Sequence, residues 1–309
     1  MRWILCGKNN AAALALEYAL AEGDELLAIG GASDDGRDGW QRSFRATAER
    51  LGVPFEQPAR INDRACIERL ADYRADALIS IQYDQILRKP LFEQIGCPCL
   101  NLHFALLPRH RGVAPIAWAI QSGDREAGVT LHHMVPEIDA GDVIAQRAVK
   151  IGDEDTARMV YDAVSAAALA LFREKHPFPP SLLSGRRIQS DAEAVYHRTG
   201  DFDFSRREID WAQPAPDLHR WLRAMIFPPL QLPETVWRGQ RCRIERIGGE
   251  LGPATDAQPG TVVGAGAQGI EVAAADGTLR ITRWLGDDDS QPPVARGDRL
   301  GAVPSQEKS

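Results

Sequence analysis

The first thirty residues, MRWILCGKNN AAALALEYAL AEGDELLAIG (1–30), decide the fold. Apolar residues 3–6 predict a buried strand, and the periodic apolar stretch 11–21, which an asparagine at 9 or 10 can cap, predicts a helix. A second short apolar run follows at 25–30. Short apolar strands that alternate with helices are typical of a mostly parallel sheet covered on both faces by helices. We therefore expect a Rossmann-like α/β domain.

The same alternation continues along the chain. Further strands are expected at 77–81, 99–103, 128–133 and 143–151, and further helices at 41–51 and 155–174. The turn at 139–142 would make the last two strands antiparallel partners. The proline-rich run PFPP (177–180) and a polar stretch at 190–205 form a linker, so the first domain is expected to span residues 1–200.

A second, smaller domain is expected over residues 201–309. It opens with a predicted helix at 215–225, near whose start lies Pro216. Short strands punctuated by glycine follow at 235–237, 241–247, 260–263, 269–273 and 278–285. Closely spaced strands of this kind predict a small open β-barrel, similar to an OB-fold.

Composition narrows the functional class. The chain has 309 residues, 44% of them hydrophobic and 26% charged, and a net charge of −7. This balance does not favour nucleic-acid binding, although a local basic patch stays open. No apolar run is long enough for a signal peptide or a membrane span, which favours a cytoplasmic protein without a membrane partner. The five cysteines lack the spacing of a zinc site and are read as reduced thiols.

Three side chains carry the predicted chemistry. Asn101 and His103 are two residues apart on one predicted strand, so they project from the same face. Asp139 lies in a turn that can reach the carboxyl edge of the sheet, where open α/β folds bind ligands. An amide, an imidazole and a carboxylate suit acyl transfer, which needs a polarised carbonyl, a stabilised oxyanion and a proton acceptor. Spacing alone also fits a structural hydrogen-bonded pair.

The surrounding residues resemble the folate-dependent formyltransferase family, which includes methionyl-tRNA, glycinamide ribonucleotide and sugar N-formyltransferases. The first matching run is NLHFALLPRHRG (101–112), and GVTLH (128–132) followed by IDAGD (138–142) resembles a second signature. The resemblance covers nearly the whole chain. Two positions depart from it: Ala105 stands where many relatives have serine, and His110 where an aromatic residue is common.

This resemblance implies a set of site residues. Asn101, His103 and Asp139 would be the catalytic trio, with 10-formyltetrahydrofolate as co-substrate and no metal. The positions implied for folate are Tyr83, Gln85, Leu87, Leu106, Pro108 and Asp142. The positions implied for the acceptor are Lys8, Asn9, Trp40 and Arg109. The adjacent His132 and His133 would point to opposite strand faces, so they are expected to be structural and not metal ligands.

The sequence of one loop predicts the formyl acceptor. Methionyl-tRNA formyltransferases typically carry a basic inserted loop after the second strand, whereas residues 31–41 here read GASDDGRDGWQ. Acidic side chains there would repel phosphates. The loop looks similar to that of sugar N-formyltransferases, so the predicted acceptor is a nucleotide-linked amino sugar. The alternatives are methionyl-tRNA, which would make a tRNA the partner, and a small amine.

Two other classes stay open from the sequence. One is a hydrolase that releases formate from the same folate by using water as acceptor, and the other is an inactive binding protein. The intact trio argues against the inactive protein. A homodimer is compatible with the sequence, but no residue pattern identifies an interface. The identity of the sugar and the role of the small barrel are not readable from the sequence.

Overall fold

A computed structural model describes residues 1–178 and 186–301. The chain divides into two compact units. The first contains Met1–Pro115, Ala127–Val149 and Asp162–Arg198. The second contains Ile116–Glu126, Lys150–Tyr161 and the chain from Thr199 onward.

Helices and strands alternate through the first half of the chain and give way to strands in the second. The helices are α1 (Asn9–Ala21), α2 (Phe44–Leu51), α3 (Arg64–Asp72), α4 (Lys89–Gln94), α5 (Pro115–Gln121), α6 (Ala157–Lys175) and α7 (Ala215–Met225). The first nine strands are β1 (Arg2–Gly7), β2 (Glu25–Gly30), β3 (Phe55–Glu56), β4 (Ala77–Ile81), β5 (Cys99–His103), β6 (Arg111–Gly112), β7 (Glu126–His133), β8 (Val143–Lys150) and β9 (Tyr196–His197). The remaining strands are β10 (Glu234–Trp237), β11 (Gln240–Gly252), β12 (Val262–Gly266), β13 (Gly269–Ala273), β14 (Thr278–Leu285) and β15 (Leu300–Gly301).

A seven-stranded sheet forms the centre of the first unit, in the order β3-β2-β1-β4-β5-β7-β8. Strands β1 to β5 pair in parallel, and β7 pairs antiparallel with β5. The middle strands are apolar throughout; all five residues of β4 are buried. Such continuous apolar runs are expected where both faces of a sheet are covered. The predicted α/β fold is confirmed.

Strand order reverses next to β1, because β2 lies on one side of it and β4 on the other. In an open α/β sheet, a ligand crevice forms outside the carboxyl ends of the strands at this kind of reversal. The segments that leave β1, β2, β4 and β5 therefore meet at one edge. Gly7 and Gly30, the last residues of β1 and β2, lie opposite each other there.

Helix α2 begins at Phe44, three residues after the predicted start. Ser43 explains the difference, since its hydroxyl accepts the amide hydrogen of Ala46 (2.9 Å) and ends the preceding loop. At the other end, Gly52 takes a left-handed conformation with φ of 68°. Helix α1 begins at Asn9, two residues before the predicted start, and Lys8 is its N-cap without a side-chain cap bond.

The second unit contains a six-stranded antiparallel sheet, in the order β12-β13-β14-β11-β10-β15. Long strand β11 changes register against β14 at several points, and such bulges bend a strand. The sheet curls until its two edges approach: Val262 donates to Asp298 O (2.8 Å), and Leu300 donates to Gly260 O (2.8 Å). The predicted small barrel is confirmed as a curled half-barrel.

Apolar side chains from α7 and the curled sheet fill the core of the second unit. Leu218 and Leu222 of α7 pack with Ile244 and Ile281 of the strands, all four almost completely buried. Trp211 closes the core, and its indole N–H donates to the Thr235 hydroxyl (3.1 Å). None of the helices within residues 1–178 and 186–301 combines the length and apolar character that a membrane crossing requires.

Candidate active site

Antiparallel pairing of β5 with β7 places polar side chains opposite one another. Asn101 faces His132, and His103 faces Thr130. Directly opposed residues in such a pair share one face of the sheet. The amide of Asn101 lies 3.2 Å from His132 Nε2. The alignment of β7 with β5 therefore places His132 and Thr130 on the same sheet face as Asn101 and His103.

Asp139 lies at the centre of this group. Its Oδ2 accepts the backbone N–H of Gly112 (2.8 Å) and lies 3.5 Å from His103 Nδ1. Its Oδ1 lies 3.4 Å from Asn101 Nδ2 and 3.5 Å from His132 Nε2. Asp139 takes a left-handed backbone conformation (φ 55°), which is uncommon for a residue with a side chain. The three predicted catalytic side chains thus lie together, with the carboxylate between the two imidazoles.

The Asp139 carboxylate is nearly buried, with 11% of its side chain exposed. Burial by itself raises the pKa of a carboxyl group. Here His103, His132 and the Gly112 N–H act against burial, and together they hold the pKa of Asp139 well below its ordinary value. Asp139 is therefore an anion at neutral pH, close to two rings that can carry a proton.

His103 is buried at the end of β5. Its Nε2 donates to the backbone oxygen of His110 (2.9 Å), and its Nδ1 faces Asp139. His110 in turn shares a hydrogen bond with His197 (Nδ1 to Nε2, 3.0 Å), and the two rings are stacked. The ring of His103 is thus held at both nitrogens, and a proton gained at Nδ1 would lie against the carboxylate.

The sequence predicted a structural His132, and the structure gives it a place in the site. Its Nδ1 donates to the backbone oxygen of His133 (2.8 Å), and its Nε2 lies 3.2 Å from the Asn101 amide and 3.5 Å from the Asp139 carboxylate. The ring is 1% exposed. The signal that could have found it is the strand pairing: a histidine opposite Asn101 must share its face. In residues 1–178 and 186–301, no cluster of histidine, cysteine or carboxylate side chains suits a metal ion.

Thr130 holds the loop that follows β5. Its hydroxyl donates to Ala105 O (2.6 Å) and accepts the N–H of Leu107 (3.1 Å). Gln146 of β8 donates to the same hydroxyl (2.9 Å) and to Leu107 O (2.8 Å). A buried hydroxyl with three partners fixes its surroundings well. The loop that carries His110 and Gly112 therefore leaves the sheet along a defined path.

A cavity of about 130 Å³ is lined by Asn101, His132 and Asp139, and the buried His103 lies behind Asp139, outside this lining. Tyr83, Gln85 and Leu87, the residues implied for folate, line it as well. The amide of Gln85 is engaged by a neighbouring loop, where it accepts from Ile61 N (2.9 Å) and donates to Pro58 O (2.8 Å). Gln85 therefore forms part of the cavity wall, and its amide is already engaged in hydrogen bonds within the protein.

The other residues implied for folate lie outside this lining. Leu106 packs against Gly128, where an added Cβ would meet its side chain at 2.6 Å. Pro108 accepts a hydrogen bond from Val195 N (3.3 Å). Asp142 forms an ion pair with Arg186 (3.7 Å). Each of them supports loops around the trio.

A larger cavity of about 380 Å³ opens beside the ends of β1 and β2. Lys8, Asn9 and Trp40, which the sequence implied for the acceptor, line it together with Arg37. Its volume is in the range of small-molecule sites. The fourth implied residue, Arg109, is exposed on the loop after β5 and is not part of this lining.

Asp84 connects the surroundings of the two cavities. It follows Tyr83 after β4, and its carboxylate accepts N–H groups of Ala32 (3.1 Å) and Ser33 (3.2 Å). Lys8 Nζ lies 3.7 Å from the same carboxylate. The Ser33 hydroxyl also donates to it (2.8 Å), and despite partial burial this bond and the other contacts lower the pKa of Asp84. The loop after β2 is therefore tied to the segment that lines the smaller cavity.

Comparison with known proteins identifies the family. Residues 35–174 match the formyl transferase family, and residues 204–288 match the formyl transferase C-terminal domain. A methionyl-tRNA formyltransferase of Methylococcus capsulatus is 33% identical over 301 residues, which is 96% of this chain and 94% of that protein. The chain belongs to the formyltransferase family.

Solved structures agree with this fold. The sugar 3N-formyltransferase WlaRD, determined with dTDP and 5-N-formyl-THF, has a TM-score of 0.72 at 22% identity and covers 92% of this chain and 98% of its own. An N-formyltransferase from Helicobacter canadensis, in complex with folinic acid and dTDP-3-aminofucose, has a TM-score of 0.71 at 23% identity and covers 91% and 98%. As a member of the formyltransferase family, the chain is an enzyme of one-carbon transfer, and the formyl donor of that family is 10-formyltetrahydrofolate.

Proposed function

We propose that this enzyme transfers the formyl group of 10-formyltetrahydrofolate to the primary amine of a nucleotide-linked amino sugar. The observation that carries the proposal is the larger cavity at the strand-order reversal. It combines an aromatic ring, Trp40, with the cations Lys8 and Arg37. A nucleotide sugar needs this combination, because its base stacks on an aromatic ring and its diphosphate pairs with cations.

Arg37 is the cation best suited to the diphosphate. It is exposed, and its guanidinium makes no hydrogen bond or ion pair with any residue in 1–178 or 186–301. The neighbouring Arg42 is instead paired with Glu17 (3.0 Å). A guanidinium can bind phosphate through two parallel hydrogen bonds. In this proposal Arg37 and Lys8 hold the phosphates, and Asn9 contacts the sugar.

The trio performs the transfer. The amine nitrogen attacks the formyl carbon, the bond from that carbon to N10 of the folate breaks, and N10 leaves as tetrahydrofolate after taking a proton. Asn101 would donate an amide N–H to the formyl oxygen in place of its long 3.4 Å contact with Asp139. His103 would receive a proton from the amine, Asp139 would stabilise the resulting imidazolium, and the imidazolium would then give that proton to N10. The folate would lie in the smaller cavity beside Tyr83 and Leu87.

Methionyl-tRNA is the second candidate: one observation favours it, and a second weakens the objection to it. The relative from Methylococcus capsulatus named above is a methionyl-tRNA formyltransferase, and so is a second from Thiobacillus denitrificans, 34% identical over 284 residues, which is 90% of this chain and 90% of that protein. In addition, the acidic loop is less repulsive to phosphate than its composition suggests. Asp34 accepts from Arg45 N (2.9 Å) and Asp38 from Ser43 N (2.7 Å), so both carboxylates are committed to the start of α2.

A direct assay separates the two acceptors. The purified protein is incubated with 10-formyltetrahydrofolate and either dTDP-linked 3-amino and 4-amino sugars or methionyl-tRNA, while tetrahydrofolate and product mass are followed. The proposal expects a mass gain of one formyl group on a sugar nucleotide. Formylation of methionyl-tRNA alone would overturn it, as would a small amine acting as the better substrate. Formate release without any amine would indicate the hydrolase.

A pair of arginine variants links the cavity to the acceptor. Arg37→Gln is expected to raise the KM for the sugar nucleotide by roughly tenfold, the loss of one charge-assisted contact, and to leave the KM for folate unchanged. Arg45→Gln is the matched control, because Arg45 lies on the neighbouring α2, outside the cavity lining, and pairs with Glu49 (2.8 Å). If both variants changed the KM for the sugar nucleotide equally, the larger cavity would not be the acceptor site.

A further inference from the structure

A segment far along the chain lies against the catalytic turn. Arg187 exchanges two backbone hydrogen bonds with Val143, the first residue of β8 (2.8 and 2.9 Å). Farther on, Tyr196 and His197 of β9 pair with Arg111 and Gly112 of β6. Residues 187–197 therefore touch both loops that surround Asp139. We call this stretch the strap.

Gln189 is the residue of the strap that reaches the catalytic turn. Its Nε2 donates to the backbone oxygens of Asp139 (2.7 Å) and Gly141 (2.6 Å). Its Oε1 accepts from Nε (3.1 Å) and Nη2 (2.9 Å) of Arg111. A glutamine amide has two donor hydrogens and two acceptor lone pairs, so every hydrogen-bonding position of Gln189 is used.

We propose that Gln189 is a positioning residue for formyl transfer: it holds the turn 139–141 so that the Asp139 carboxylate stays between His103 and His132. The two carbonyls that Gln189 binds flank Ala140, and they fix the turn on both sides of that residue. The inference rests on the proposed catalytic role of Asp139. It goes beyond the trio by assigning a role to a side chain fifty residues away.

Backbone conformation shows why the turn needs a clamp. Asp139 has a φ of 55°, and a residue with a side chain in this region costs about 1 kcal/mol or more. Gly141 is equally constrained, since a Cβ there would lie 1.9 Å from His133 O. Such a conformation persists only when its surroundings enforce it. The hydrogen bonds from Gln189 supply part of that enforcement.

Arg111 couples the clamp to the other catalytic loop. Its side chain is 10% exposed, and besides Gln189 it contacts Asp191 (Nη1 to Oδ1, 3.2 Å). The next residue, Gly112, donates its N–H to the Asp139 carboxylate. Two adjacent residues therefore hold Asp139. Gly112 binds its carboxylate directly, and Arg111 binds Gln189, which in turn binds the backbone of the turn.

Two substitutions of similar size test the donor function. Gln189→Met removes all four hydrogen bonds, and Gln189→Glu keeps an acceptor for Arg111 but loses both donors to the turn. We expect both variants to lower kcat by 10- to 100-fold, the effect of a displacement of about 1 Å at a catalytic group, with the KM for folate changed less than threefold. Ile188→Ala is the matched control, because Ile188 is the adjacent strap residue and is 81% exposed.

Two further readouts separate positioning from folding. Hydrogen exchange of the peptide spanning 137–143 should become faster in the Gln189 variants while the Tm falls by only a few degrees. The wild type should show no acid limb of kcat from Asp139 between pH 5 and pH 8, whereas the variants should show one shifted toward this range, because a displaced but still buried Asp139 loses the contacts that lower its pKa.

Each outcome decides the inference. A Gln189→Glu enzyme with wild-type kcat would overturn it, because the donors would then be dispensable. A lower yield of folded protein with normal kcat per folded molecule would also overturn it and leave Gln189 a structural role. An Asp139→Asn enzyme measured in parallel distinguishes the positioning role of Gln189 from the catalytic role of Asp139. If Asp139→Asn keeps its activity, the catalytic role of Asp139 is wrong, whatever the Gln189 variants show.

Discussion

Asp139→Asn gives the sharpest test of the site, because it removes one charge and keeps the shape of the side chain. In the wild type a protonated His103 would lie 3.5 Å from the carboxylate. Two unit charges at this separation interact by about 5 kcal/mol at an effective dielectric constant of ~20, and this value is an upper bound. Since each 1.4 kcal/mol is about tenfold in rate, kcat should fall by roughly 10³-fold.

Initial rates of tetrahydrofolate formation at saturating folate and acceptor measure this change. Glu137→Gln is the control, since it removes one carboxylate from the same turn at an exposed position. The wild type should show no acid limb from Asp139 between pH 5 and pH 8, because its pKa lies well below the ordinary value near 3.9. An Asp139→Asn enzyme whose kcat stays within about threefold of the wild type would refute the electrostatic stabilisation of His103 by Asp139.

Two further predictions concern stability. Thr130→Val should lower the free energy of unfolding by about 1–3 kcal/mol in urea titrations, since Leu107 N and Gln146 lose a buried acceptor; an unchanged midpoint would contradict this. Asp24 accepts from the amino terminus and from His176 (both 2.6 Å), and despite its burial these partners lower its pKa. The contribution of Asp24 to the free energy of unfolding should be present above pH ~4 and lost as the pH falls through its lower folded pKa. In urea titrations at several pH values, Asp24→Asn should therefore be less stable than the wild type at pH 7 and lose less stability on acidification.

The sequence predicted most elements of the fold because their signals are local. Strands β2, β4 and β5, as well as helix α7, begin and end at the predicted residues. Each is a short apolar run or an amphipathic stretch bounded by polar residues, glycine or proline, so neighbouring residues suffice to define it. The start of α2 differed because its cap is completed by Asp34, nine residues before Ser43.

Contacts that depend on register or on distant segments were not predictable. His132 joins the site because β7 pairs with β5 in one particular alignment, and a shift of one residue would turn it to the other face. Gln189 reaches the turn at Asp139 across 50 positions of the chain, and nothing in the residues around it indicates a partner. Alternation along one strand, in contrast, was enough to bring Asn101 and His103 to the same face.

The acidic loop shows how composition and structure lead to different arguments about the acceptor. Its aspartates suggest a surface that repels phosphate, yet Asp34 and Asp38 bind the amino-terminal end of α2, where a helix favours negative charge. Asp35 accepts the backbone N–H of Arg37 (3.0 Å), and Arg37 is exposed. The local charge available to a ligand is therefore less negative than the count of aspartates. Phosphate binding at this loop is compatible with either acceptor, and the nucleotide sugar is favoured because the aromatic ring of Trp40 lies beside Lys8 and Arg37 in the same cavity.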